Sequence, residues 1–267
     1  MTNPSVGRLN ALVPMFAFYA AAAGVVVVWR LTALGLLSRQ PDLEGTWWLV
    51  PALLAAAGIV HLVCGLYVLH HRPGRASQLF ACFCICFGLH WGGPLELATG
   101  PLRTTLLLFY LLISGVLGAT LLLHFALVFP RGWRAGTSLV FLRILYLPMV
   151  VATVLGVPAV VSPSESGLRT TARGGFLLLH TLVSNLYSIV ALVLFVVLLF
   201  GRSMNSIQKR YVGLMIAGML AAWLPYILAS SAGVENADPW NLTVVALPLS
   251  FTIAFFGIRG RTEVLIP

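Results

Sequence analysis

The densest chemistry in the sequence is a set of cysteines and one histidine. His61 and Cys64 are three residues apart and share a helix face; Cys82 and Cys86, four apart, share another, with Cys84 pointing away from them. A short basic stretch, HHRPGRAS at 70–77, turns the chain between the two pairs, so their segments form an antiparallel hairpin. At a helical rise of about 1.5 Å per residue, Cys64 and Cys82 both lie roughly 5 Å from that turn, with His61 and Cys86 roughly 10 Å in. One Cys₃His-type metal site or a thiol redox site is therefore geometrically possible. The competing reading is that these thiols pack as small apolar groups in helix contacts. All four cysteines fall inside apolar segments, which excludes a secreted disulfide framework. The packing reading is preferred, and no metal and no cofactor are expected.

Other reactive side chains are weighed in the same way. A bis-histidine haem needs imidazoles at matched depth on facing helices. His61, His90, His124 and His180 form no clean set of such pairs; one haem stays open, but hydrogen-bonded helix-contact histidines are the simpler reading. Arg143 lies about two turns inside an apolar stretch, close enough to its end to snorkel to headgroups. Gly92, Gly93 and Pro94 interrupt another stretch, with His90 and Trp91 before the break and Glu96 and Arg103 after it. A broken helix flanked by charge is how membrane proteins build ligand sites, so these four residues are the candidate ligand pocket. His180, Thr181, Ser184, Asn185 and Ser188 form a polar stripe of the kind that joins helices. Serine beside histidine suggests hydrolysis, but there is no G-x-S-x-G elbow and no acidic partner nearby. The single lysine, Lys209, sits in a loop, so no amine within a span offers a retinal Schiff base.

The elements that carry these residues follow from composition. Of 267 residues, 60% are hydrophobic and 9% charged, against about 25% charged in a soluble domain. Apolar stretches of spanning length recur along the whole chain, whereas a β-barrel would need short alternating segments. The expectation is an all-α, polytopic transmembrane bundle of about eight spans, at 12–37, 47–69, 78–98, 104–128, 137–161, 176–200, 211–232 and 240–258, forming a single integral membrane domain over 1–267. The first is read as an uncleaved span, because its lead is weakly basic and no small-x-small cleavage site follows. Kinks are expected in the fifth span at Pro148 or Pro158. SPSESGLRTTARGG reads as the longest polar loop, too short to fold alone.

Charge sets the orientation. Arg8, Arg72, Arg75, Arg131, Arg134, Arg202, Lys209, Arg210, Arg259 and Arg261 fall on one side of such a bundle; Arg30, Arg39, Arg103, Arg169 and Arg173 fall on the other. The positive-inside rule makes the first side cytoplasmic and places both termini there. The net charge of +9 then faces anionic lipid; no basic run or RNA-binding motif points to nucleic acid.

Two stretches carry a family likeness. LLLHFALVFPRGW at 121–133 and RILYLP at 143–148 resemble the membrane-embedded N-terminal region of bacterial sensor histidine kinases, in which a His-Phe-x-x-x-Phe-Pro run closes one helix and Tyr-Leu-Pro sits in the next. Leu247 to Phe251 and Ile258 to Arg261 resemble the last span and exit of that region, and the likeness covers roughly residues 50–262. The matching motif residues are His124, Phe125, Phe129, Pro130, Tyr146 and Pro148. In that family a cytoplasmic kinase follows; here the sequence ends at Pro267 without a phospho-acceptor helix or ATP-binding domain. The resemblance thus implies a multi-pass inner-membrane sensor or signalling module that acts through partner contacts and has no activity of its own. Its partners would be membrane lipids and other membrane or signalling proteins, in an oligomer or hetero-complex. The alternatives are an accessory subunit of a larger energy-transducing complex and, third, a small transporter, for which no internal repeat is visible.

Overall fold

A computed structural model describes residues 49–72, 74–92, 105, 107–129, 138–161, 166–201, 204–233 and 243–259. Among these residues every regular element is helical: α1 Leu49–His71, α2 Arg75–Gly92, α3 Leu107–Val128, α4 Leu139–Val161, α5 Gly167–Phe200, α6 Ser206–Ser231 and α7 Ala246–Arg259. A single 3₁₀ turn at 243–245 leads into α7.

The helices close into a ring. α1 packs along α2, α2 on α3, α3 on α5, α5 on α6, α6 on α7, and α7 returns to α1; α4 leans against the outside of α5 and α3. α1 and α2 do form the expected hairpin. The turn is held by Ser77, whose hydroxyl donates to the carbonyls of Arg72 and Gly74. The helices then approach closely because Gly65 has no side chain: a Cβ there would lie 2.8 Å from Cys84 Cβ and 3.2 Å from Ala81 Cα. Small residues at such contacts replace the hydrophobic drive that lipid does not supply.

α3 is the most enclosed of the long helices, and its hydroxyls are satisfied internally. Ser114 donates to Tyr110 O at 2.7 Å and Thr120 to Val116 O at 2.7 Å. Its seven residues Leu111–Leu117 are wound as a π-helix, a rare form that concentrates at functional sites. No residue pattern in Leu111–Leu117 marks this segment in advance.

Four helices are long and apolar enough to cross a membrane: α3, α4, α5 and α6. α1, α2 and α7 carry shorter apolar runs, at Ala56–His71, Arg75–Leu89 and Thr243–Gly257. The expected first span at 12–37 lies outside the described residues. α4 and α5 present rows of exposed Val, Leu and Ile, among them Ile144, Val154, Leu178 and Ile189. Only a hydrocarbon solvent suits such a surface.

One expectation needs correction. The stretch read as the longest polar loop is largely helical, because α5 starts at Gly167 and not at 176. Ser166 caps it, its hydroxyl accepting from Arg169 N at 3.2 Å. Ala172 and Phe176 then bury one face of the early turns, so the polar residues between them ride on the outer side. Elsewhere boundaries move by a few residues: α2 begins at Arg75 and is described as far as Gly92, and α6 begins at Ser206.

Candidate site at the basic end of the bundle

α3 ends where it does because Phe129 precedes a proline, which disfavours the helical region for that residue. Phe129 adopts φ −120°, ψ 140°, while its N–H still closes the last turn onto Phe125 O at 2.8 Å. This leaves His124 in the final turns, 5% exposed, facing α2 and α4.

His124 Nε2 lies 3.3 Å from an Arg75 guanidinium nitrogen, and its Nδ1 lies 3.0 Å from Tyr146 Oη. A guanidinium only donates, so Nε2 accepts and the imidazole proton sits on Nδ1, from which it donates to Tyr146. The neutral imidazole is thereby a relay between a basic turn residue and the hydroxyl of α4. The His124 and Tyr146 rings meet edge-on, with centroids 5.8 Å apart and an 80° interplanar angle. Two of the six motif residues thus meet directly across a helix contact, although 22 positions separate them.

Phe125 and Phe129 meet a different helix. Phe125 stacks on Phe251 of α7 at 5.7 Å, and Phe129 on Phe255 at 4.9 Å with ring planes only 5° apart. Phe80 of α2 and Phe195 of α5 complete the cluster against Phe251, at 6.0 and 5.8 Å. All six rings are 0–1% exposed. Ring pairs in these offset geometries add about 0.5–1.5 kcal/mol each beyond their area.

The end of α7 is gripped from three further sides. Phe256 contacts Tyr67 of α1 at 5.3 Å and His71 at 6.2 Å. The Arg72 guanidinium stands over the Phe256 ring at 5.7 Å, a cation–π distance. Gly257 receives the Tyr211 ring of α6; a Cβ there would fall 2.0 Å from Tyr211 Cζ. The α1–α2 turn, the end of α3, the start of α6 and the end of α7 therefore gather at one end of the bundle, and it is the end rich in arginine.

The other expected site residues are placed less centrally. His90 and Trp91 lie in the last turn of α2; Glu96, Arg103 and Pro130 lie outside the described residues. Pro148 is half-buried within an uninterrupted α4, and Arg143 is exposed on it. His61 is fully buried and donates from Nδ1 to Ala57 O at 2.8 Å, its ring stacked 6.1 Å from Phe87. The Cys₃His arrangement does not form: among the described residues no group of three or more His, Cys, Asp or Glu is placed to hold a metal. The reason is rotational. Cys64 faces Thr252 of α7, whereas Cys82 and Cys86 lie on the side of Tyr146. Cys84, which the spacing set apart, is the one buried completely, at the tight contact with Gly65. His180 on α5 fits over Gly115 of the π-helix, where a Cβ would fall 2.0 Å from its Nε2. Ser184, Asn185 and Ser188, expected as helix glue, line a cavity instead. The signal for it was in the sequence, as three polar residues on one face near the middle of an apolar helix.

A family profile described as the N-terminal 7TM region of histidine kinase matches residues 53–262. The matched range begins within α1 and runs past Arg259, so it takes in nearly all of the seven described helices; 12–37 precedes it. No curated protein and no solved structure matches the chain.

Proposed function

Since the chain belongs to the family of N-terminal 7TM regions of histidine kinases, we propose that it is a multi-pass sensory module of the bacterial inner membrane that signals through partner proteins and performs no catalysis itself. The family makes it a membrane sensor or signalling module. The finer reading is that α7 is the output element. The observation that carries it is the stack of Phe125 on Phe251 and Phe129 on Phe255, which joins the motif helix to the last described helix of the matched region. A shift of α3 within the bundle cannot leave α7 in place, because close-packed rings do not deform continuously. In this reading the arginine-rich end is cytoplasmic, both termini lie there, and the chain crosses the bilayer eight times. Partners dock on that end, where Arg72, Arg75, Lys209 and Arg210 gather around the α7 exit.

The test is co-purification. The tagged native protein is taken from its own membranes in mild detergent, the accompanying chains are identified by mass spectrometry, and an absorption spectrum is recorded on the same sample. The expected result is a colourless preparation with signalling proteins in less than equal amount. A fixed-ratio large complex, or bound haem or pigment, would overturn the proposal in favour of an accessory subunit.

A further inference from the structure

Between α3, α5 and α6 lies a cavity of about 490 Å³, within the range of small-molecule sites. Its floor is the π-helix, which contributes Ser114 and Gly115; Phe87 and Trp223 form apolar walls. Its mouth is ringed by Ile189, Leu220, Leu224 and Ile227, all exposed on the apolar flank of the described helices, which favours entry from the side of the bundle.

Three features define what fits there. First, the described lining contains no charged side chain. An ionised ligand would therefore be buried without a counter-charge, which is strongly unfavourable at membrane depth. Second, hydrogen-bonding groups line both the α3 floor and the α5 wall. Ser114 and Ser184 spend their donors on Tyr110 O and His180 O, both at 2.7 Å, but keep acceptor capacity. Third, Asn185 and Ser188 line the cavity, and among the described residues neither side chain makes a hydrogen bond within the protein. Asn185 lies near the middle of α5, exposed among Leu182, Leu186 and Ile189 on the apolar flank of the helix. An amide left unmatched in hydrocarbon costs a few kcal/mol, so a partner of matching polarity is strongly drawn to it.

We propose that this cavity binds one neutral, lipid-soluble molecule whose apolar body fills the space between α5 and α6 and whose terminal hydroxyl or carbonyl bonds Asn185 and Ser188. The molecule enters laterally from the bilayer. This deepens the sensory reading, on which it rests for its role as a signal, by naming the class of ligand sensed. It also supplies a route to α7: the cavity touches α3 at its π-segment, and the same helix ends in the Phe125 and Phe129 stacks.

The test is photolabelling of the purified full chain in lipid nanodiscs, with a diazirine-bearing dodecanol as probe and the matching diazirine alkane as control. The expected result is saturable labelling by the alcohol, mapped to peptides of α5 and α6, that unlabelled dodecanol competes away and dodecane does not. Asn185→Leu, close in volume and suited to a lipid-facing helix, should weaken the apparent affinity about tenfold, the equivalent of one lost hydrogen bond to an amide. Ile227→Trp at the exposed mouth should obstruct the site without touching the core. Labelling that does not saturate, that spreads onto exposed α4, or that keeps its full apparent affinity in Asn185→Leu would overturn the proposal. So would a native dimer that Asn185→Leu converts to monomer without any saturable labelling, since a second copy would then satisfy the amide. Saturable binding in a protein that captures no signalling partner would sink the sensory reading and leave the site standing.

Discussion

At the scale of single residues, the His124 relay is the feature most open to attack. Tyr146→Phe keeps the ring against His124 but removes the acceptor of its Nδ1–H, 3.0 Å away. Leaving that buried donor without its acceptor should lower stability by about 0.5–2 kcal/mol, read from thermal unfolding in nanodiscs; an unchanged midpoint would mean the bond carries no weight. Gly115→Ala places a methyl where His180 Nε2 stands, so the imidazole must swing away. Its cost should vanish in the His180→Ala background, a coupling that a double-mutant cycle measures directly. The motif residues were legible from type and spacing, because a histidine and an aromatic pair ahead of a proline stand out in apolar sequence. What they contact was not legible. Nothing in local sequence tells Phe125 that its partner is Phe251, since that depends on helix rotation and on which helices are neighbours. The same ignorance made a Cys₃His site conceivable: spacing fixes which residues share a face, but not that Cys64 turns to Thr252 while Cys82 and Cys86 lie on the side of Tyr146.

At the scale of elements, the start of α5 and the α1–α2 contact carry predictions. Ser166→Ala removes the cap of a helix that runs well beyond the apolar stretch and should cost about 0.5–2 kcal/mol, with faster amide exchange confined to the first turns of α5. Equal protection in the variant would mean the early turns are held by Ala172 and Phe176 alone. Gly65→Ala meets Cys84 Cβ and the backbone of Ala81, neither of which is a flexible side-chain end. It should cost about 1–3 kcal/mol as an overpacked contact. Long apolar helices were readable because a membrane span has one dominant signature, length without charge. The polar start of α5 was missed because a run of Ser, Thr, Gly and Arg looks like a loop unless the serine cap is recognised. The π-segment has no comparable signature, since Leu-Leu-Ile-Ser-Gly-Val-Leu suits an ordinary helix equally well.

At the scale of the whole molecule, the basic ends of α1, α2, α6 and α7 meet on one side of the bundle, as charge alone suggested. If that side is cytoplasmic, cysteine introduced at Asn205 should resist membrane-impermeant maleimide in intact cells and react after lysis, whereas one at Ser166 should react in both; the four native cysteines lie among apolar helices and give a low background. The reverse pattern would invert the topology. The larger claim is that α7 reports the state of α3 through stacked rings. The most direct measurement compares partner capture from native membranes by the unaltered chain and by a Phe129→Leu, Phe255→Leu double variant, at equal amounts of folded protein. Leucine keeps the contact apolar while removing the 4.9 Å ring stack. The account predicts that the variant stays folded yet captures its signalling partners differently by about fivefold or more, the lower range of a coupling free energy between sites. A folded variant that captures the same proteins to the same extent would contradict it.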